Sequence, residues 1–257
     1  MTLAFTPQES PPPHLPTLPP PPPVEPPPPP IPGFFAGLPR DILYPFRGAG
    51  LYRYFTGSAL VWFGLASSAL MGGQSIMLSG PILGYLAVFL IAIANASGDG
   101  RDEVPEFPKF RPELIAEFTM LNLTILISMV PILVYALAIV FLRAPIDLLI
   151  VAIYASGFFL PMALIRVCML QTLEGVKPVA VIQSIARVLT PYVGLCLVLS
   201  SIQFVQNILR PLCALIPYAG ILLKAMVIVY FLMLQMRLFG TFYYTYRRTL
   251  GWFENIK

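Results

Sequence analysis

A group of polar side chains late in one long apolar segment has the clearest capacity for chemistry in this sequence. Spacings of three and four residues place most of them on one face of a helix, and the group is Ser200, Gln203, Gln206, Asn207 and Arg210. Amides surrounded by lipid need hydrogen-bond partners, so this face should point at another helix or at a water-filled cavity. The pattern therefore predicts either a solute path or head-group pocket, or polar contacts that hold helices together. Candidate partners elsewhere in the chain are Asn95, Asn122, Gln235 and Arg237.

A second group of reactive side chains is acidic and lies between two apolar segments. It consists of Asp99, Asp102, Glu103 and Glu106. Clustered carboxylates bind hard cations such as Ca²⁺. However, the spacing is not that of an EF-hand, and Arg101 and Lys109 are interleaved with the acids. We interpret the segment as a solvated loop and predict no metal site.

The residue types that most enzymes use are missing from the apolar part of the chain. The one histidine is His14, in a proline-rich segment, which excludes His-based catalysis and most zinc or haem sites elsewhere. No carboxylate lies well inside a predicted span, and there is no phosphate-binding glycine loop. The cysteines lack CxxC spacing and are expected to be packing residues: Cys168, Cys196 and Cys213. We predict no catalytic residues, no cofactor and a protein that is not an enzyme.

These polar groups are embedded in a chain that water alone could not solvate. Of its 257 residues, 57% are hydrophobic and 11% are charged, and the mean hydropathy is +0.79. Soluble domains carry roughly 25% charged residues, and a helix needs about 20 apolar residues to cross the hydrocarbon core. The sequence predicts an all-α, polytopic transmembrane helical bundle of about six spans with short interfacial helices. The spans are expected near 56–76, 79–97, 118–142, 147–169, 190–209 and 217–240.

Two segments outside these spans have their own character. Residues 1–39 are predicted to be a disordered, proline-rich cytoplasmic tail, either a ligand for an aromatic groove or a semi-rigid spacer. Residues 40–257 form the membrane domain. Residues 171–189 have apolar and polar sides, which is typical of a short helix lying in the membrane plane. Lys224 should snorkel or face the bundle interior.

Aromatic and basic residues flank the first and last spans, as is typical of anchors in the headgroup layer. The candidate anchors are Tyr44, Arg47, Tyr52, Arg53, Arg247, Arg248 and Trp252. With six spans, all but three of the 16 Lys and Arg lie on the side that holds both termini, the exceptions being Arg143, Arg210 and Lys224. Because basic residues are retained on the cytoplasmic side, both termini are predicted to be cytoplasmic.

Short motifs in the apolar part occur in a characteristic order. Tyr44-Pro45-Phe46 precedes the first span, the residues 80–86 open the second, and Val104-Pro105-Glu106-Phe107 follows it. Arg237-Leu238-Phe239-Gly240 and Leu250-Gly251-Trp252 lie near the end. With these motifs, residues 40–253 resemble the bacterial domain-of-unknown-function 4013 family of polytopic membrane proteins. The resemblance implies a bacterial inner-membrane location and a multi-span fold, and it carries over no activity and no catalytic residue.

Two functions are compatible with these features. The first is a non-enzymatic scaffold or accessory subunit of the inner membrane. Its partners would be membrane lipids and proteins that meet the proline-rich tail and the 98–117 loop, with no nucleic acid. The alternative is a small permease or lipid-handling protein that uses the polar face of the fifth span.

Overall fold

The computed structural model describes residues 33–71, 75–109, 113–142, 145, 147–216 and 219–252. Most of the predicted tail, the Gly72–Gly73 break between the first two spans, and Arg143 lie outside the described residues. Within the described ranges the chain contains eight α-helices, two short 3₁₀ helices and no strand. The prediction of an all-α fold is confirmed for this part of the chain.

The helices follow one another with short connections. They are α1 (Phe34–Ile42), α2 (Gly50–Met71), α3 (Ser75–Gly98), α4 (Glu113–Leu142), α5 (Asp147–Leu170), α6 (Pro178–Arg187), α7 (Leu189–Ala214) and α8 (Gly220–Leu250). The 3₁₀ helices are Tyr44–Phe46 and Leu173–Val176. Each of the six predicted spans overlaps one of the long helices, and the predicted tail boundary at residue 39 falls inside α1.

Five of these helices are long and apolar enough to cross a membrane, judged by length and composition. The qualifying segments are Gly80–Gly98, Ile115–Phe141, Asp147–Leu170, Leu189–Cys213 and Gly220–Leu250. They are compatible with a multi-pass membrane protein. Helix α2, as far as it is described, is not among them, and the sixth span stays a prediction.

Helices α3 and α8 form the centre of the bundle. Helix α8 contacts α1, α2, α3, α5, α6 and α7. In the apolar segment by which α3 qualifies as a span, 61% of the residues are buried. In contrast, only 11% of the corresponding segment of α4 and 22% of that of α7 are buried. Helices α4 and α7 therefore lie at the periphery and present most of their apolar side chains to the surroundings.

A glycine at position 240 allows α3 and α8 to approach closely. A Cβ atom built on Gly240 would overlap the Ala94 carbonyl oxygen and the Ser97 Cβ, and it would lie 2.9 Å from the Gly98 backbone nitrogen. These atoms belong to the backbone or lie beside it, so they cannot rotate away. Small residues let membrane helices pack backbone to backbone, and Gly240 has this role here.

Two buried serine hydroxyl groups are satisfied within their own helices, whereas the buried Ser156 hydroxyl has no hydrogen-bond partner among the described residues. The Ser58 hydroxyl donates a hydrogen bond to the Tyr54 carbonyl, and the Ser128 hydroxyl donates to the Thr124 carbonyl, both at 2.8 Å. Each acceptor lies four residues earlier on the same helix. Such bonds allow hydroxyl side chains to remain in apolar surroundings without a partner on another helix.

Helix α8 ends at a glycine with a left-handed backbone. Gly251 has φ 63° and ψ 29°, and its N–H donates a hydrogen bond to the Arg247 carbonyl at 3.1 Å. Glycine adopts this conformation without a Cβ penalty, which makes it the usual helix-terminating residue. The turn brings Trp252 back against the bundle, where its ring stacks on Tyr243 with centroids 5.3 Å apart.

Candidate functional site

The most extensive polar contacts in the described structure are made by Arg237. Its side chain is 5% exposed, although α8 is apolar for most of its length. It donates hydrogen bonds from Nε to Asp41 Oδ1 at 2.9 Å and from Nη2 to Asp102 Oδ1 at 2.7 Å. Its Nη1 donates to the Ser97 hydroxyl at 3.2 Å and to the Arg101 carbonyl at 2.5 Å. All three guanidinium nitrogens are therefore engaged.

The charges around Arg237 are balanced. Arg40 forms an ion pair with the other carboxylate oxygen of Asp102, Oδ2, so two arginines pair with two aspartates. We call Arg40, Asp41, Asp102 and Arg237 the arginine cluster. A buried ion that loses its partner is strongly destabilising, whereas a fully paired set is tolerated. The cluster ties together α1, the loop after α3, and α8.

An aromatic ring completes the surroundings of Arg237. The guanidinium carbon lies 4.7 Å from the centroid of the Tyr44 ring, which is within cation–π distance. Burial raises the pKa of Tyr44 to about 12, although the nearby Arg237 charge partly opposes this effect. The phenol therefore stays neutral, and its hydroxyl donates a hydrogen bond to the Glu103 carbonyl at 3.3 Å.

The arginine cluster was not predicted as a site, and it changes the interpretation of the acidic loop. Asp102 was expected to be solvated, but it is half-buried and paired with two arginines. Arg237 was suggested as a partner for the polar face of the fifth span, but its donors are used elsewhere. Asp99 remains exposed and pairs with Arg101 at 2.9 Å, and Glu103 and Glu106 are exposed. Within the described residues no group of three or more His, Cys, Asp or Glu side chains is placed to hold a metal ion.

A signal for the cluster does exist in the sequence. Asp41 is the only acid between Glu25 and Asp99, and Arg237 is the only charged residue between Lys224 and Arg247. Arg237 is an isolated charge within an apolar stretch and favours a buried ion pair, because it could not be left unpaired in lipid. Asp41 directly follows Arg40 in the sequence, so the sequence does not show which acid Arg237 meets.

The polar face predicted on the fifth span lies on α7, and its residues differ in how far they are buried. Ser200, Gln203 and Asn207 are exposed, Gln206 is 3% exposed, and Arg210 is half-buried. The Gln203 Nε2 donates to Asn207 Oδ1 at 3.5 Å, which is at the outer limit of a hydrogen bond. The Arg210 Nε is buried without a hydrogen-bond acceptor among the described residues. Helix α7 continues to Ala214, so Gln203 lies near its middle rather than at its end.

The suggested partners of this face form no described hydrogen bond with it. The Asn122 side chain donates to the Phe118 carbonyl of its own helix at 2.8 Å, and Asn95 lines a cavity on another part of the bundle. The face thus retains exposed amides at mid-helix depth, surrounded by apolar side chains such as Phe204 and Val205.

The predicted interfacial anchors are placed in different environments. Tyr44 is 1% exposed and packs inside the protein under Arg237. Arg47, Tyr52 and Arg248 are exposed, and Arg53 is half-buried. Arg247 is also exposed and lies 4.9 Å above the Tyr244 ring. The Tyr44 ring is therefore too deeply buried to act as an anchor in a headgroup layer.

Two polar cavities lie on either side of the stacked rings of Tyr243 and Trp252. The first, of about 260 Å³, is lined by polar groups that include Asn95, Asp99 and Arg247. The second, of about 200 Å³, is lined by Arg166, Gln183, Arg187 and Trp252 among others. The second was not singled out by sequence reasoning because its residues come from α5, α6 and the segment after α8.

Comparisons with family models, with curated proteins and with solved structures found no match for this chain. The resemblance to the domain-of-unknown-function family stays a prediction.

Proposed function

We propose that this chain is a non-enzymatic, multi-pass protein of the bacterial inner membrane that acts as a scaffold or accessory subunit. The observation that carries the proposal is the pair of exposed amides, Gln203 and Asn207, on the outer face of α7. Five apolar helices support the membrane location in general. The sixth span, the orientation and the partner are parts of the proposal.

Helix α2 is proposed as the first of six spans. It has 22 residues, which at 1.5 Å per residue gives a length of about 33 Å. The hydrocarbon core of a bilayer is about 30 Å thick. Large apolar side chains of α2 are exposed, including Phe55, Trp62 and Phe63, as expected for a helix in contact with lipid. Its Arg53 lies near the N-terminal end, where it can reach the headgroups.

Six crossings would put both termini on one side of the membrane, which we propose is the cytoplasmic side. The exposed basic residues that flank the first and last spans then lie on the same side, among them Arg47, Arg247 and Arg248. Lys224 is exposed near the start of α8, at the opposite end of that helix. This distribution follows the rule that basic residues collect on the cytoplasmic side.

The exposed amides of α7 favour a partner inside the membrane. Each amide side chain has two donors and one carbonyl acceptor, and the long contact between Gln203 and Asn207 satisfies only a small part of this capacity. Unsatisfied polar groups in hydrocarbon cost several kcal/mol each, as an order of magnitude. A helix of another subunit that carries polar groups would remove this cost. We therefore assign the α7 face as the contact surface for a partner subunit.

The attachment of α1 supports a scaffold role for the segment before it. The proline-rich residues directly precede α1 in the sequence, and α1 is fixed to α8 by the ion pair of Asp41 with Arg237. A polyproline segment that starts from a fixed point can reach partners as a spacer or ligand. We propose that protein partners meet this tail and the 98–117 loop.

The alternative function is a small permease or lipid-handling protein that uses α7. Two observations favour it: Gln206 is buried, and the Arg210 Nε has no described acceptor. Polar groups that face inwards could line a solute path. In that case substitutions at Gln206 should affect transport, whereas substitutions at the outward amides should not.

The experiment compares two variants of α7 in the full chain. The double variant Q203L/N207L removes the outward amides, and F204L changes an equally exposed apolar residue on the same helix as the control. We expect the native protein and F204L to migrate in mild detergent as a complex larger than the chain. The double variant should be released from that complex without a lower melting temperature. A photo-crosslinker at Ser200, which is exposed on the polar face, should join the native chain to the partner.

An intact complex in Q203L/N207L would overturn the proposal of a partner surface on α7. The permease is tested separately in liposomes containing the purified chain. If the native chain conducts small polar solutes and Q206L abolishes conduction while the complex is unchanged, the alternative function is supported and the scaffold role fails.

A further inference from the structure

Two arginines converge on the smaller polar cavity beside Trp252. Arg166 comes from the last turns of α5, and Arg187 is the last residue of α6. Both line the cavity of about 200 Å³, together with Gln183, Ser184 and Trp252. None of its described lining residues is acidic. Two like charges at one small cavity repel each other unless an anion lies between them.

The contacts of Arg166 hold its guanidinium in place but do not neutralise it. Its Nε donates to the Gly175 carbonyl at 3.2 Å, and its Nη1 donates to the Ser184 hydroxyl at 2.8 Å. Its guanidinium carbon lies 4.9 Å from the centroid of the Trp252 ring. A guanidinium has five N–H donors, and no described bond uses those of Nη2. Every described acceptor of Arg166 is uncharged.

Ser184 links Arg166 to Trp252 in the wall of the cavity. Its hydroxyl accepts hydrogen bonds from Arg166 Nη1 and, at 3.1 Å, from Trp252 Nε1. It donates its own proton to the Ala180 carbonyl at 2.8 Å. One donor and two acceptor positions are therefore all in use, and Ser184 is a positioning residue rather than a ligand.

Arg187 is the second positive charge at the rim of the cavity, and it too is held by an uncharged acceptor. Its Nη1 donates to the Leu250 carbonyl at 2.6 Å, and its Nε and Nη2 donors are in no described bond. The nearby acid in the sequence, Glu174, is exposed and pairs with Lys177 at 2.7 Å. Among the described residues, neither arginine of the cavity forms an ion pair.

The position of the cavity fits the headgroup layer of a bilayer. Helix α6 buries Val181 and Ile185 against the protein, while Val179 and Ile182 are exposed. A short helix with outward apolar side chains lies at a membrane surface with those side chains among the acyl chains. Tryptophan is enriched at the same depth. The arginine rim would then lie at the level of lipid phosphates.

We propose that Arg166 and Arg187 form a binding site for a phosphate group, with Ser184 and Trp252 holding Arg166 in position. The planar fork of arginine binds phosphate oxygens through two parallel hydrogen bonds, and basic pockets between membrane helices bind anionic headgroups. The cavity is smaller than the roughly 300 Å³ at which pockets for drug-sized ligands begin, so it admits a small polar group. The phosphate belongs either to a phospholipid or to a free phosphate ion. This site is separate from the α7 face.

The test measures lipid binding to the purified full chain by native mass spectrometry. Phosphatidylglycerol is compared with diacylglycerol of the same acyl chains, which lacks the phosphate. R187Q removes one side of the rim, R187K keeps its charge without the fork, and R248Q removes an exposed charge from the end of α8 as the matched control. We expect the native chain and R248Q to retain phosphatidylglycerol but not diacylglycerol. R187Q should bind phosphatidylglycerol roughly tenfold more weakly, with R187K between them.

Inorganic phosphate added as a competitor distinguishes the two sources. Displacement of phosphatidylglycerol by millimolar phosphate identifies a site for the free ion, and retention identifies a lipid site. Equal affinities of R187Q and R248Q, or equal binding of diacylglycerol and phosphatidylglycerol, would overturn the proposal. Because Arg187 is exposed at the end of a short helix, R187Q should remain folded, and an unchanged melting temperature checks this. Loss of the α7 complex is measured on different variants, so the two proposals can fail independently.

Discussion

Arg237 Nε and Asp41 Oδ1 lie 2.9 Å apart although 196 positions separate the two residues in the chain. Both side chains are 5% exposed. The pair joins the short amphipathic helix α1 to the central helix α8, and Asp102 adds a second carboxylate from the loop after α3. This end of the bundle is therefore held by paired charges as well as by apolar packing.

Removal of Arg237 should destabilise the protein severely. R237M leaves Asp41 buried without a counter-charge, which typically costs about 3–5 kcal/mol. We expect a loss of that size in the free energy of unfolding measured in detergent. The exposed Arg248 provides the control, since R248M should change stability by less than about 0.5 kcal/mol.

The coupling between the two residues can be measured with a double variant. D41N/R237M should be less destabilised than the sum of D41N and R237M, because the second substitution removes a partner that is already lost. Additive effects would show that the two side chains do not interact in solution.

Closer packing at Gly240 should not be tolerated. In G240A the new methyl group would overlap the Ala94 carbonyl and the Ser97 Cβ of α3, which forces the two central helices apart. Overpacking of this kind typically costs about 1–3 kcal/mol. G157A is the matched control, because a Cβ atom on Gly157 meets nothing within 4 Å. Thermal unfolding should show a lower midpoint for G240A only, and equal midpoints would contradict the close contact.

The positions of the long helices could be predicted from the sequence because they depend on local composition: each of the six predicted spans overlaps one of them. Helix α1 was not predicted, because it lies where the proline-rich tail was expected to end. The sixth span stays a prediction, since α2 does not qualify among the five apolar helices.

The arrangement of polar side chains could not be predicted in the same way. Gln203 and Gln206 are close in sequence, but one is exposed and the other is buried, because burial depends on how α7 is rotated against its neighbours. The pairing of Asp41 with Arg237 depends on where α1 docks. The cavity between Arg166, Arg187 and Trp252 depends on the turn at Gly251. Each of these contacts is tertiary and has no local pattern.

Alkaline pH should weaken the protein through Tyr44. Burial raises the pKa of this phenol to about 12 in the folded protein, whereas an unfolded tyrosine ionises near about 10. The folded state therefore binds the proton more tightly. Its stabilising effect is complete below the unfolded pKa and is lost as the pH rises towards the folded one. The full effect is on the order of 3 kcal/mol.

Y44F isolates this effect because it keeps the ring and removes the ionisable group. The free energy of unfolding of the native protein should fall more steeply than that of Y44F between about pH 10 and 12. Y52F is the control, since the Tyr52 ring is exposed, and it should follow the native protein. Parallel curves for the native protein and Y44F would contradict a buried Tyr44.

The six-span topology makes the most direct prediction, because each crossing reverses the side on which the next connection lies. A reporter that is active only outside the cytoplasm should be active when fused after Gln74, Pro145 or Cys213. It should be inactive after Pro105, Pro178 or Lys257. The comparison that is decisive for α2 is between a reporter placed before Gly50 and the fusion after Gln74, since only a crossing helix puts these two sites on opposite sides of the membrane. Substitution of basic residues gives a second test of the orientation. R47Q/R53Q removes two charges at the N-terminal end of α2 and should increase reporter activity before Gly50, whereas R210Q at the far end of α7 should not. Equal reporter activity before Gly50 and after Gln74 would reduce the count to five spans and leave α2 at the membrane surface.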